Sequence, residues 1–149
     1  MISKILIPTD GSKPARKSVE YAVEFARQTG ATIVLLSVVD KSAFVPQAIP
    51  VAAASARILE PIEDYLTRAA QSYLEEAKKL CIDGGVPSKR VIRSGHPVEG
   101  IIKEAQKSHV DLIIIGSHGR SALKAAVLGS VTFGVISKET TIPVLVVRK

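Results

Sequence analysis

The clearest chemical signal in the chain lies between residues 116 and 130: Gly116, two residues, Gly119, nine residues, then Gly129 and Ser130. Glycine has no Cβ, so peptide N–H groups beside it can approach an anion closely. A serine at a helix start can cap that helix and donate its hydroxyl to the same anion. The partial positive charge of a helix N-terminus would act in the same direction. The pattern therefore suits phosphate. His118, Arg120 and Lys124 lie in the same stretch and could supplement it, although a solvated loop position is the commoner use of each. Taken alone, a glycine-rich turn before a helix is ordinary in α/β proteins, so the elements that position it decide its meaning.

Those elements follow from periodicity. Short apolar runs alternate with longer amphipathic stretches, the pattern of repeated βαβ units. Residues 4–9 form a first strand, continuous and apolar through Ile5-Leu6-Ile7, as expected where both faces are buried. Asp10-Gly11-Ser12 breaks it, and a helix over 13–29 carries Ala15, Val19, Ala22, Val23 and Ala26 on one stripe, with Pro14 in the first turn and Gly30 closing it. A β-branched run, 31–39, is the second strand. Residues 40–56, with two prolines and many small side chains, read as a long loop. Leu59, Ile62, Leu66, Ala69, Tyr73, Ala77 and Leu80 then keep one helical face apolar until Gly84-Gly85. Cys81 sits near that stripe and reads as buried packing.

The third strand, 88–94, is charged, which suits a sheet edge. Gly95-His96-Pro97 turns into a helix bearing Val98, Ile101, Ile102 and Ala105, with His96 read as a turn residue and His109 as exposed. Residues 111–116 form the fourth strand, continuous and apolar from Leu112 on. A helix over 130–138 and a strand over 142–147 complete the chain. Five strands and four helices predict one α/β domain over residues 1–149, a doubly wound, Rossmann-like parallel sheet with helices on both faces. Placing the most apolar strands centrally and the most polar at an edge gives the order 3-2-1-4-5. In such sheets a ligand binds beyond the carboxyl ends of the strands, where the winding reverses. Here that is between strands one and four, so Pro8-Thr9-Asp10-Gly11 should face Gly116-Ser117-His118-Gly119-Arg120. Asp10 by itself would be an ordinary helix-entry residue; the switch point gives it a second use.

With Pro8-Thr9-Asp10-Gly11-Ser12 before it and Ile142-Pro143-Val144-Leu145-Val146-Val147 after it, the segment from Asp111 to Arg120 resembles the universal stress protein family, and the resemblance spans essentially the whole chain. The spacing of Gly116, Gly119, Gly129 and Ser130 fills that family's nucleotide motif, making the chain similar to its ATP-binding members, in the adenine nucleotide alpha hydrolase-like fold. The resemblance implies that Pro8, Thr9 and Asp10 line the nucleoside side, that Val39 offers backbone groups to adenine, and that Gly116, Gly119, Gly129, Ser130 and Val131 surround ribose and phosphates, with Arg120 of the same loop as a further binding candidate. ATP, or AMP or ADP, with Mg²⁺ is the implied cofactor. Asp10 suits a purine or ribose partner or a neighbour of phosphate-bound Mg²⁺, and no metal ligand set is specified. The resemblance also implies a homodimer through 142–147, an apolar edge strand that needs cover.

Composition narrows the alternatives. The chain has 149 residues, 46% hydrophobic and 23% charged, with a net charge of +6. Basic and acidic residues alternate along helices, and three Tyr, three Phe and no Trp offer few stacking platforms, which argues against nucleic acid. The first apolar run is too short for a signal-peptide core, and with a single cysteine no disulfide can close within the chain, so a cytoplasmic protein with no membrane contact is expected. A P-loop lacks its Gly-Lys-Ser/Thr, and a dinucleotide fingerprint lacks G-x-G-x-x-G after the first strand. A phosphorelay receiver would want an acidic pair where Thr9-Asp10 stands and an Asp where Arg93-Ser94 stands. No general base, partnered nucleophile or arginine cluster surrounds the proposed phosphates. These absences put an enzyme second to the nucleotide-dependent stress-response regulator or interaction module that the resemblance implies, with slow ATP hydrolysis or nucleotidyl transfer on the same site as the alternative.

Overall fold

The computed structural model describes residues 1–44, 56–119, 128–138 and 141–148. In chain order the elements are β1 (Lys4–Pro8), α1 (Lys13–Thr29), β2 (Thr32–Val39), a 3-10 turn (Lys41–Phe44), α2 (Ala56–Asp83), β3 (Ser88–Ser94), α3 (Pro97–Lys107), β4 (Leu112–Gly116), α4 (Ser130–Lys138) and β5 (Val144–Val147). The five strands form one parallel sheet in the order β3-β2-β1-β4-β5, as the strand polarities predict.

Alternation along buried strands sorts the core into two layers, because successive side chains leave opposite faces. Ile5 and Ile7 of β1, Ile33 and Leu35 of β2, and Leu112 and Ile114 of β4 pack under α1 and α2 with Val19, Ala22, Leu74 and Cys81. Leu6, Val34, Leu36, Ile113 and Ile115 face the other way, against Val98, Ile101 and Ala105 of α3 and Val135 of α4. Each fully buried Leu, Ile or Val contributes about 1.5–3 kcal/mol. Burial pushes the Cys81 thiol pKa up, although the neighbouring Ser88 side chain and the charge of Lys78 act the other way, so this cysteine is core packing.

Local chemistry sets the boundaries. Ser12 caps α1 by accepting the Ala15 N–H at 3.2 Å, and Gly30 ends it in the left-handed region at φ 75°. The last strand starts two residues later than 142 because Pro143 has no N–H to give the ladder, although its carbonyl still accepts from Ile113 at 3.0 Å. The predicted 40–56 loop opens with the 3-10 turn, and residues 45–55 lie outside those described. His109 is exposed, as expected, and takes a positive φ of 53° just past the end of α3. No helix among the described residues is long and apolar enough to cross a membrane.

The polar edge strand β3 is latched to α3 by a partly buried ion pair. Glu104, only 3% exposed, accepts from Arg93 Nε at 2.7 Å and from the Ser108 hydroxyl at 2.7 Å. Burial alone would raise the Glu104 pKa, but the Ser108 hydrogen bond and then Arg93 outweigh it and hold the carboxyl below its usual value. A depressed carboxylate pKa gives stability that is complete above the unfolded-state value and lost as pH falls through the folded one. Because Arg93 is 43% exposed, water screens part of the interaction. Glu104→Ala should cost about 1–2 kcal/mol in urea unfolding at pH 7, and the deficit should shrink as the pH is lowered below about 4.5. An unchanged urea midpoint in Glu104→Ala would show that the pair does not hold the edge.

Candidate functional site

The sheet opens at its switch point. β1 and β2 stay in register from Lys4↔Thr32 to Pro8↔Leu36, and β4 stays with β5 to Gly116↔Val147. Between β1 and β4 the register runs only through Ile5↔Leu112 and Leu6↔Ile113. Beyond it β1 leads into α1 on one face while β4 leads towards α4 on the other. A cleft of about 850 Å³ lies over this gap, within the size range of small-molecule sites.

The two predicted segments meet there. A Cβ at Gly119 would stand 2.8 Å from Asp10 Oδ2, so only the missing side chain lets the fourth-strand loop lie against the carboxylate. The other carboxylate oxygen, Oδ1, accepts the Ser12 N–H at 3.0 Å and orients the group from the α1 side. A Cβ at Gly116 would come within 3.2 Å of the Pro14 carbonyl oxygen, a close approach of β4 to the first turn of α1.

Hydrogen bonds pin the described ends of the loop to each other. The Gly129 N–H donates to the Ser117 carbonyl at 2.7 Å, and the buried Thr132 hydroxyl donates to the Gly116 carbonyl at 2.7 Å. Ser117 N–H reaches Val147 of β5 at 2.9 Å, and Ser117 Oγ lies 3.0 Å from His118 Nδ1. The N-terminus of α4 is thereby held beside the end of β4. Ser130, its exposed first residue, and Val131 line the cleft, so the α4 N-terminal peptides and their dipole sit at its rim. This end suits an anion, because it gathers glycine backbone, a hydroxyl and a helix start.

Pro8, Thr9, Asp10, Val39, Gly116, His118, Gly119, Gly129, Ser130 and Val131 thus all border one cavity. Arg120 and Lys124 lie outside the described residues. Val39 lines the wall, but its carbonyl is turned to the β3 side, where it accepts the Gly95 N–H at 2.9 Å. Peptide groups in a strand alternate sides, and Leu36 O faces β1, accepting the Thr9 N–H at 2.8 Å. Two residues on, Val38 therefore presents its N–H and C=O on the β1 side, just past the Pro8↔Leu36 pair that ends the β1–β2 register.

Several further lining residues carry no local sequence signal. Thr132 sits inside α4, and His96, read as a turn residue, occupies the α3 N-cap position without a side-chain cap bond and borders the cleft. Tyr65, Leu66, Ala69 and Tyr73 of α2 form a wall, although the spacing of Leu66, Ala69 and Tyr73 reads simply as a core stripe. Helix length is the signal that finds them. At 28 residues α2 is about 42 Å long, whereas the 8-residue β2 spans about 26 Å, so part of α2 must extend past the sheet.

Comparison with known proteins agrees with this geometry. The family model described as "Universal stress protein family" matches residues 1–148. The universal stress protein MJ0577 of Methanocaldococcus jannaschii is 36% identical, with 100% of this chain and 96% of the relative covered. The solved MJ0577 structure superposes with a TM-score of 0.86, covering 97% of that chain. The universal stress protein UspA of Lactobacillus plantarum is 26% identical with a TM-score of 0.84, covering 99% and 98% of the two chains. The same fold occurs in a universal stress protein in complex with cAMP, at 22% identity and TM-score 0.69, and in one from Archaeoglobus fulgidus in complex with dAMP, at 18% and 0.66.

The Thr132 hydroxyl is the internal brace of the site. Thr132→Val removes the donor and leaves the Gly116 carbonyl short of a partner in a buried place, at a cost of about 1–2 kcal/mol. Thr132→Ser keeps the donor and should lose less. Urea denaturation of the two variants tests this, and equal loss in both would refute the brace.

Proposed function

The chain belongs to the universal stress protein family, and we propose that it is a member that binds an adenine nucleotide, with ATP and Mg²⁺ as the leading ligand, and that the bound nucleotide sets its behaviour as a stress-response regulator. The observation that carries this reading is the contact between Gly119 and the Asp10 carboxylate, with Gly129 and Ser130 opening α4 beside it. Backbone N–H groups at a glycine loop and a helix start hold phosphates. Asp10, on the opposite lip, accepts a ribose hydroxyl or a water on phosphate-bound Mg²⁺. The base reaches the peptide of Val38, with Val39 in the wall beside it. The relatives solved with cAMP and dAMP support an adenine nucleotide as the ligand class.

In this role the residues bind and orient. The α4 dipole and loop peptides stabilise negative charge, and the apolar wall excludes water from the base. The protein acts in the cytoplasm as one domain, and two copies pair through β5. The edge chemistry supports that pairing: β3 carries Lys89, Arg90 and Arg93, whereas β5 reads Val-Leu-Val-Val and stays half-buried. Charge blunts the first edge and leaves the second open to another strand.

Protein purified without added ligand and then denatured should release an adenine nucleotide, read by chromatography of the supernatant. Gly119→Val places a branched side chain on Asp10 and should weaken ATP binding at least tenfold by calorimetry. If no nucleotide is released and millimolar ATP gives no heat, the nucleotide reading is wrong; ATP turnover abolished by Asp10→Ala would make the protein an enzyme rather than a binder. Sedimentation at micromolar concentration should give about twice the 15.9 kDa chain mass, and a monomer there would remove the β5 pairing.

A further inference from the structure

We propose that Tyr65 is the base-contacting residue of the site, an aromatic wall that covers one face of the purine and selects planar heterocycles. This rests on the nucleotide reading above and goes beyond it by naming the group that holds the base.

The large apolar residues left exposed among those described are Met1, Tyr21, Tyr65, Ile82, Phe133 and Ile136. Of these, Tyr65 alone lines the cleft, and it is 65% exposed. An exposed phenol ring on the wall of a cavity has a large flat face that a ligand can cover. Its place along the cleft says which part of the ligand that is. The anion end lies at Gly119, Gly129 and Ser130. A mononucleotide laid from there across Asp10 brings its base to the end of β2, and α2 packs over β2 and the 3-10 turn that follows it.

The helical turn that carries Tyr65 is also tied to that end. Glu63, two residues before Tyr65, pairs with Lys41 of the 3-10 turn at 2.9 Å, tying the overhanging part of α2 to the end of β2. Tyr73, about two turns further along α2, cannot do the job. Its ring lies so close over Gly11 that a Cβ there would overlap it, so it is committed to the Asp10-Gly11 turn. Leu66 and Ala69 between them keep the wall apolar. The arrangement is an aromatic face at the base end and backbone donors at the phosphate end.

Calorimetry with ATP, adenosine and inorganic tripolyphosphate tests the assignment on the intact protein. Tyr65→Ala should weaken ATP and adenosine by the same factor, about tenfold, which is within the range of base stacking on an aromatic side chain, and leave tripolyphosphate unchanged. Tyr65→Phe keeps the face and should bind within about twofold of the parent. With three Tyr and no Trp in the chain, tyrosine emission gives a second readout: adenosine should quench the parent more than Tyr65→Phe. Unchanged ATP and adenosine affinity in Tyr65→Ala overturns the inference, and so does an equal loss for tripolyphosphate, which would mean the residue acts through the fold. If the parent binds neither ATP nor adenosine, the nucleotide reading itself fails and the inference falls with it.

Discussion

The site depends on one constraint: two adjacent parallel strands whose helices leave towards opposite faces cannot stay paired to their ends. β1 and β4 share only Ile5↔Leu112 and Leu6↔Ile113 before the chain turns up to α1 on one side and towards α4 on the other. The gap is thus a product of the winding and needs no special residue. What the particular residues decide is how the gap is lined. Asp10 and Ser12 shape one lip by a 3.0 Å hydrogen bond, and Thr132 and Gly129 fix the other by bonds of 2.7 Å.

Glycine acts here in two different ways. At Gly11 and Gly30 the backbone itself sits at positive φ, which calls for glycine's conformational freedom, and at Gly11 the Tyr73 ring leaves no room for a Cβ either. At Gly116 and Gly119 no positive φ is involved, and the need is space: the first lies against the Pro14 carbonyl and the second against Asp10. The positions of Gly116 and Gly119 therefore record which pieces of backbone must approach the opposite lip, whereas Gly129 packs against Ser117 and His118 of its own loop.

The sheet order, the two-layer core and the helix over 130–138 were legible because each rests on a pattern that tertiary context does not overturn: continuous apolar runs in buried strands, a charged run at the edge, a glycine before a helix. The pairing of Asp10 with the 116–130 loop followed from that topology. The details that escaped are those set by direction and length rather than type. Nothing in Val38-Val39 says which peptide faces β1, since that depends on register with two neighbouring strands. Leu66, Ala69 and Tyr73 look like core because their periodicity is that of core, and only the overhang of α2 turns them into a cavity wall. His96 was indistinguishable from a turn residue until α3 was set beside the cleft, and Arg120 and Lys124 lie beyond what the structure describes.

In the proposed complex one ligand spans the gap from the end of β2 to the start of α4. Backbone amide chemical shifts of labelled protein, followed through a titration with ATP, test it most directly. The shifts should concentrate at Thr9 to Gly11, Val38 to Asp40, Gly116 to Gly119 and Gly129 to Thr132, on both lips at once. Shifts confined to one lip, or gathered on the β3 edge around Lys89 and Arg90, would contradict it.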